Sequence, residues 1–358
     1  MPYTLSQLGW HDFFSPHSTE HIQQGFHLAR VTNEQRGHYY IVSEAGSYRA
    51  ELTGKMLFGA LSPAELPKVG DWVAYMAHTE NEAIVHAVLP RRTTLSRKAA
   101  GEDEEQVIAA NVDLLFIMQG LDRDFNLRRL ERYIAMASAA RVEPIVLLNK
   151  ADLAEDPAAF TAQVQAIDPS MQVMTLSALN GTSIGDVLAR IPEGRTAAVV
   201  GSSGVGKSTL LNRLLGAQRQ HTSAVREDDQ RGRHTTTSRS LFVLPDAGIL
   251  IDTPGMRELG LWGDSDQAGT AFQDIEELME GCKYRDCTHT VEAGCAVLAA
   301  VESGELDEKR YQNYRKMQKE LEYLNDSQAY IRRKEQTMKE IRQSYDRFVK
   351  GRKKRTDK

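Results

Sequence analysis

The sequence predicts three architectures in succession: a small all-β barrel, a doubly wound α/β domain, and a helical segment built around a cysteine cluster. Three observations carry this. Short β-branched and aromatic runs crowd residues 36–100, strand and helix patterns alternate from Asn111 to Asp252, and Cys282, Cys287 and Cys295 fall close together near the C-terminal end.

Taken in order, residues 1–35 are polar with scattered aromatics and read as a short helical or irregular lead-in. From Tyr39 the runs HYYIVSEAG, SYRAELTGK, GDWVAYM and AIVHAVL alternate or are rich in strand formers, with Gly, Pro, Asn and Asp between them. Four or five strands within 36–100 make a barrel. A five-stranded Greek-key OB-fold fits that length, with VGDWV as a strand entry, and an SH3-like barrel is the alternative.

From Asn111 the period changes. VDLLFIMQ is a strand of the buried type, LRRLERYIAMASAAR has apolar residues at helical spacing, and EPIVLLN is a strand again. The pattern continues with a helix near 157–166, strand QVMTLS, a helix near 183–190, strand TAAVVG, a helix from Lys207, then SLFVLP and GILID. Such alternation implies parallel βαβ units in a sheet covered on both faces, placed at 101–262. Residues 263–358 read as helical, interrupted by the cysteines and running from Leu306 as a charged helix or helical pair to the basic end GRKKRTDK.

At 358 residues, 41% hydrophobic and 26% charged, the chain has the composition of a multidomain soluble protein. It contains no run of about 18 uncharged apolar residues, and MPYTLSQLGWHDFF lacks the regions of a signal peptide, so a cytoplasmic monomer without a membrane association is expected. The net charge is −5, yet residues 305–358 carry seventeen Lys and Arg against ten Asp and Glu. The positive charge is therefore concentrated at one end.

Chemistry enters with GSSGVGKS, which fits the phosphate-binding pattern G-x-x-x-x-G-K-[ST] between a strand and a helix. Gly201, Ser202, Ser203, Gly204, Val205 and Gly206 curl the backbone so that amides point at a β-phosphate, with the N-terminal turn of the helix from Lys207, which includes Thr209, behind them. Lys207 reaches the β- and γ-phosphates, and Ser208 ligates Mg²⁺. DTPG ends a strand, placing Asp252 on the Mg²⁺ shell and the Gly255 amide on the γ-phosphate. In RGRHTTTSRS, Thr235 or Thr236 can close over Mg²⁺, with Thr236 preferred, and His234 stands beside them.

NKAD supplies the base reader. The Asp152 carboxylate accepts two hydrogen bonds that guanine offers and adenine does not, Asn149 bonds the base edge, and the Lys150 stem covers the ring. The turn SAL offers a backbone amide from Ser177 or Ala178 to the guanine oxygen. The order is rotated: base reader, base amide, phosphate loop, switch threonine, Mg²⁺ aspartate. A circular permutation restores an ordinary GTPase site, because a sheet does not record where its chain begins.

Cys282, Cys287, His289 and Cys295 run C-x4-C-x-H-x5-C, three thiolates and an imidazole suited to one closed structural zinc site. A barrel, a zinc module and basic patches at Arg91, Arg92, Arg97, Lys98 and at 352–355 together favour a large folded RNA as partner.

In VGDWV, LPRRTTLSR, ANVDLLFIMQGLDRDFN, NKADL, GSSGVGKSTLLN, GRHTTTSR, DTPGMREL and the Cys/His cluster, the chain resembles the circularly permuted GTPases called ribosome small-subunit-dependent GTPase A. The resemblance implies an OB-fold barrel, an α/β P-loop GTPase domain with permuted motifs and an α-helical zinc-binding C-terminal domain. It further implies GTP/GDP with Mg²⁺ and one Zn²⁺ as cofactors, the small ribosomal subunit and its rRNA as partners, and late maturation of that subunit as the task. It places Met256 where many GTPases carry a water-orienting Gln, so hydrolysis is expected to be slow without the ribosome, and it links His234 to catalysis. The pattern departs at EAGC, where Ala293 stands for an expected Pro. Two rival readings are an RNA-binding module holding guanine nucleotide without turnover, and an RNA-modifying enzyme, for which no further catalytic constellation is found.

Overall fold

The computed structural model describes residues 3–35, 37–99, 104–216, 239–253 and 269–322. A 3-10 turn at Asp12–Phe14 and helix α1, Ser15–Gln23, precede strand β1, His27–Gln35. The helical or irregular lead-in expected for 1–35 thus contains a helix and ends early, at the first strand of the barrel. The strand is hidden in the sequence because both of its faces are covered: Ala29 and Val31 face the barrel interior, while Leu28 packs against Leu8, Phe14 and Trp72. Between them sits Arg30, a fully buried cation that breaks the apolar signature. It is kept there by three backbone carbonyls, Leu8 at 2.5 Å, Gly70 at 3.1 Å and Asn111 at 3.0 Å, and its burial lowers its pKa to about 10.

Strands β2 (His38–Ser43) and β3 (Gly46–Leu52), helix α2 (Gly54–Gly59), and strands β4 (Trp72–Ala77) and β5 (Glu82–Val88) complete the barrel. The order is β1-β2-β3-β5-β4, closed by pairing of β4 with β1. The β3–β5 pair is parallel and the other pairs are antiparallel. This closed five-stranded path is OB-like, and closure leaves no free sheet edge within it.

A hairpin of β6 (Thr94–Lys98) and β7 (Glu105–Ala110) leads into the α/β domain. There β8 (Leu114–Gly120), α3 (Leu127–Ala139), β9 (Glu143–Asn149), α4 (Pro157–Gln165), β10 (Gln172–Thr175), α5 (Ile184–Ala189), β11 (Thr196–Gly201), α6 (Lys207–Leu215), β12 (Ser240–Val243) and β13 (Ile249–Asp252) follow. The strand order is β10-β9-β8-β11-β13-β12, parallel except at β12. Every residue of β8 is buried, which is why Leu114 to Met118 read as an unbroken apolar run. Leu115 and Ile117 pack with α3, and Leu114, Phe116 and Met118 pack with α6. Asn126 caps α3 by accepting from the Arg129 amide at 3.0 Å, and Leu130, Tyr133, Ile134 and Ala137 form its buried stripe.

Barrel and α/β domain share one sheet through a single pairing of Asn33 with Ser240. Asn33 Nδ2 also donates to the Arg239 carbonyl and to Ser240 Oγ, both at 2.8 Å. Arg91 is locked to the fully buried Asp71 by two bonds of 2.8 Å, and Arg92 pairs with Asp113. These two arginines belong to the junction, so two of the four residues of the basic patch expected at Arg91, Arg92, Arg97 and Lys98 are engaged in internal ion pairs. Gly70 is required beside them: its φ is +94°, and a Cβ would lie 2.1 Å from the Ala110 carbonyl oxygen.

The C-terminal part comprises a 3-10 turn at Gly269–Phe272, α7 (Gln273–Met279), the cysteine loop, α8 (Ala296–Ser303) and a helix over 308–322, α9. Phe272, Ile275, Tyr314, Met317 and Leu321 join the same core as α3. Arg128–Asp307 at 2.8 Å and Arg132–Glu320 at 2.6 Å border that contact. No helix among the described residues is long and apolar enough to cross a membrane. The basic patch at 352–355 lies outside the described residues.

Candidate functional site

Because β8, β9, β11 and β13 are parallel, their C-terminal ends come to one edge of the sheet. The register pairs Gly120 with Asn149, Met118 with Gly201, and Val199 with Asp252. Motifs far apart and in rotated order along the chain therefore converge at that edge, where doubly wound folds place ligands.

The loop from Gly201 to Gly206 turns on three glycines with positive φ, Gly201 at 150°, Gly204 at 81° and Gly206 at 108°. A Cβ at Gly201 would stand 2.5 Å from the Met118 carbonyl oxygen, and one at Gly206 would stand 2.3 Å from Asn149 Nδ2. The loop thus packs too closely on its neighbours for side chains there. Lys207 opens α6 and is buried, with Nζ donating to the carbonyls of Gly201 and Ser202 at 2.7 Å each. Burial lowers its pKa, opposed by the charges of Asp252 and then Asp124. Ser203 and Ser208 are exposed, Ser202 and Thr209 half-buried, and Val205 buried.

Asn149 joins the base reader to the phosphate loop. Its Nδ2 donates to the Val205 carbonyl at 2.8 Å, and its Oδ1 accepts from the Ala178 amide at 2.8 Å. Hence the Ala178 amide expected to meet guanine is engaged within the protein. The Ser177 hydroxyl accepts from the Asn180 amide at 3.2 Å and shapes that turn. Lys150 sits in the left-handed region at φ 65° with Nζ on Asp122 at 2.6 Å, and that hydrogen bond holds the Asp122 carboxyl below its usual range. Asp152 is exposed in the 3-10 turn Ala151–Leu153, where its carboxylate is open to a ligand. Asp252 is buried at the end of β13, and Thr253 Oγ1 beside it donates to the Val199 carbonyl. His234, Thr235, Thr236, Gly255 and Met256 lie outside the described residues.

Three residues near this edge were missed by sequence reasoning. Asp122 and Asp124 follow β8 in LDRDFN and engage Lys150 and Ser202, and Arg213 of α6 donates to the Ala178 carbonyl at 3.1 Å. The signal that could have found them is position: the turn after β8 must lie beside the other strand ends.

At the C-terminal cluster one donor atom from each of Cys282, Cys287, His289 and Cys295 lies within 4.8 Å of all the others. Cys282 Sγ and Cys295 Sγ are 3.9 Å apart, and His289 Nδ1 is 3.5 and 3.4 Å from them. A regular tetrahedron with zinc bond lengths has edges of roughly 3.8 Å between sulfurs and roughly 3.6 Å from sulfur to nitrogen, so the set fits zinc with Nδ1 as the imidazole ligand. Burial lowers the pKa of His289, which favours the neutral ring a metal requires. The Tyr311 hydroxyl donates to the His289 carbonyl and holds the ligand's backbone. Glu292, also missed in the sequence, accepts the amides of Thr288 at 2.9 Å, Thr290 at 2.8 Å and Val291 at 3.0 Å. The Thr288 hydroxyl, with the amides of Thr290 and Thr288, holds its carboxyl far below the usual range. This carboxylate, rather than a proline at 293, closes the turn carrying His289.

Comparison with known proteins gives the same picture. The RsgA GTPase family matches residues 88–262, and a family of 50S ribosome-binding GTPases matches 196–342. A small ribosomal subunit biogenesis GTPase RsgA from Opitutus terrae is 46% identical over 331 residues, covering 89% of this chain and 90% of that protein. A protein of the same description from Lactiplantibacillus plantarum is 43% identical, covering 91% and 94%. Among solved structures, YjeQ from Thermotoga maritima is similar with a TM-score of 0.60 at 25% identity, over 83% of this chain and 98% of that one. YloQ, described as a circularly permuted GTPase, is similar with a TM-score of 0.57 at 25% identity, over 83% and 95%.

Proposed function

We propose that this chain, which belongs to the RsgA GTPase family and is a GTP hydrolase, acts in late maturation of the small ribosomal subunit, binding the subunit and its rRNA as a cytoplasmic monomer. The observation that most supports the site assignment is the pair of hydrogen bonds made by the Asn149 side chain, which ties the base-reading turn to the phosphate loop and to Ala178. A ligand with a base at one end and phosphates at the other spans both.

In this reading Asp152 selects guanine, Lys150 covers the ring, and the amides of 203–208 with Lys207 hold the phosphates. Ser208, Asp252 and Thr236 would hold Mg²⁺, which offsets the phosphate charge. The four-residue Cys/His set would hold one structural zinc. His234 acts in hydrolysis, and a slow reaction without the ribosome follows from Met256 standing where a water-orienting Gln is common. A nucleotide held without turnover is disfavoured by the GTPase family to which the chain belongs.

GTP turnover by the purified chain, with and without purified small and large subunits, tests this. Stimulation by small subunits alone is expected. A rate unaffected by small subunits, together with no co-sedimentation, would refute the ribosomal assignment and leave the hydrolase.

A further inference from the structure

We infer that Asp124 is a positioning residue for the phosphate loop: fixed by Arg129, it holds Ser202 and so presets the loop amides for a β-phosphate. The inference rests on the nucleotide-site reading above and deepens it. The turn after β8 grips the site at two points. Asp122 takes Lys150 of the base reader, and its other oxygen accepts the Asp124 amide at 3.0 Å. Asp124 in turn accepts from Ser202 Oγ, within the first turn of the phosphate loop. Its Oδ2 is 2.9 Å from Arg129 Nη2, and the same nitrogen donates to the Asp124 carbonyl and to Gln119 Oε1 at 3.2 Å. The carboxylate cannot swing away without breaking both the Ser202 bond and the Arg129 ion pair.

The loop needs such an anchor. Gly201, Gly204 and Gly206 all have positive φ, which gives the conformation amides require to converge on phosphate but also the largest backbone freedom to lose on binding. Ser202 lies between them, held at both ends, with Oγ on Asp124 and its carbonyl on Lys207 Nζ at 2.7 Å. Fixing one residue of a glycine-rich loop beforehand removes part of the ordering cost from the binding step. The charge of the anchor is the second half of the arrangement. A bare carboxylate beside a phosphate pocket repels its ligand, and Arg129 neutralises it in place.

The test is nucleotide affinity, read with ribose-labelled GMP, GDP and a non-hydrolysable GTP analogue in Mg²⁺. Asp124→Ala and Ser202→Ala are each expected to weaken GDP roughly tenfold, as for loss of a charged hydrogen bond, with the double variant no worse than the weaker single. GMP, which lacks a β-phosphate, is expected to bind all of them alike. Arg129→Met, leaving the carboxylate unneutralised, should weaken the triphosphate more than the diphosphate, and adding Asp124→Asn should recover it. Ser202→Ala removes the bond with least disturbance and keeps the test valid where an Asp124 variant misfolds. Additive losses, equal losses for GMP and GDP, or no recovery in the Arg129→Met/Asp124→Asn pair would each overturn the assignment. Absence of GDP binding by the unaltered chain would instead refute the nucleotide site itself.

Discussion

Arg310 in α9 donates to Glu131 in α3 at 2.8 Å, with 7% of the Arg310 side chain and none of the Glu131 side chain accessible. Arg310 also bonds Asp274 twice, at 2.7 and 2.6 Å, and lies 5.0 Å from the Phe272 ring centre. One guanidinium thus ties α3 of the GTPase domain to two elements of the cysteine-bearing part.

Removing it leaves Glu131 buried with Arg128 and Asn313 as its remaining partners. Arg310→Ala should destabilise docking of the C-terminal part by about 3–5 kcal/mol, the usual loss when one member of a buried pair is deleted. Limited proteolysis and urea unfolding would show early cleavage of residues beyond 269 and a separate first transition. A single transition at the original midpoint would contradict the role given to this contact.

Asp152→Asn exchanges an acceptor for an amide that matches xanthine. GTP affinity should fall roughly tenfold to a hundredfold, on the scale of a charged hydrogen bond lost, and xanthosine triphosphate should bind better than GTP. Isothermal titration with both nucleotides decides it; retained GTP affinity would remove Asp152 from the base-reading role.

Elemental analysis should find one zinc per chain. Chelation, or Cys287→Ala, should unfold the loop between α7 and α8 while guanine nucleotide still binds, since the phosphate loop shares no ligand with the cluster. Glu292→Ala should raise zinc loss without removing a ligand, because three amides of the His289 turn lose their acceptor. Full zinc retention in Glu292→Ala under competing chelator would show the turn is held otherwise.

His234→Ala should leave GTP binding and small-subunit association in place while abolishing subunit-stimulated turnover, so that the complex persists with GTP. Thr236→Ala should instead weaken the difference between GTP and GDP in subunit binding, because in the proposed function Thr236 would help to hold the Mg²⁺ that distinguishes the two states. Co-sedimentation in GDP, GTP and a non-hydrolysable analogue separates the two. Equal binding of the unaltered chain in all three nucleotides would leave no switch to explain.

Much of the site could be read before the fold was known. GSSGVGKS and NKAD state their chemistry locally, through glycines and polar side chains at fixed offsets, and β8 and β11 announce themselves through the apolar runs LLFIM and AAVV. Strand β1 could not be read this way. Its mid-strand Arg30 is charged and buried, and the carbonyls that satisfy it come from residues 8, 70 and 111. Arg91 was hidden for the same reason: its charge suggests an exposed surface until the buried Asp71 is found opposite.

The sequence by itself determined the motifs, their rotated order, the ligand types of the cysteine cluster and the succession of architectures, since each is written in residue identity and local period. Tertiary structure decided what those residues meet. Parallel strands brought Asn149, Gly201 and Asp252 to one edge regardless of chain order, placed Asp124 against Ser202, and joined Glu131 to Arg310. Such pairings depend on strand register and helix docking, which arise from burial summed over whole faces, so no local stretch of chain encodes the partner a side chain finds.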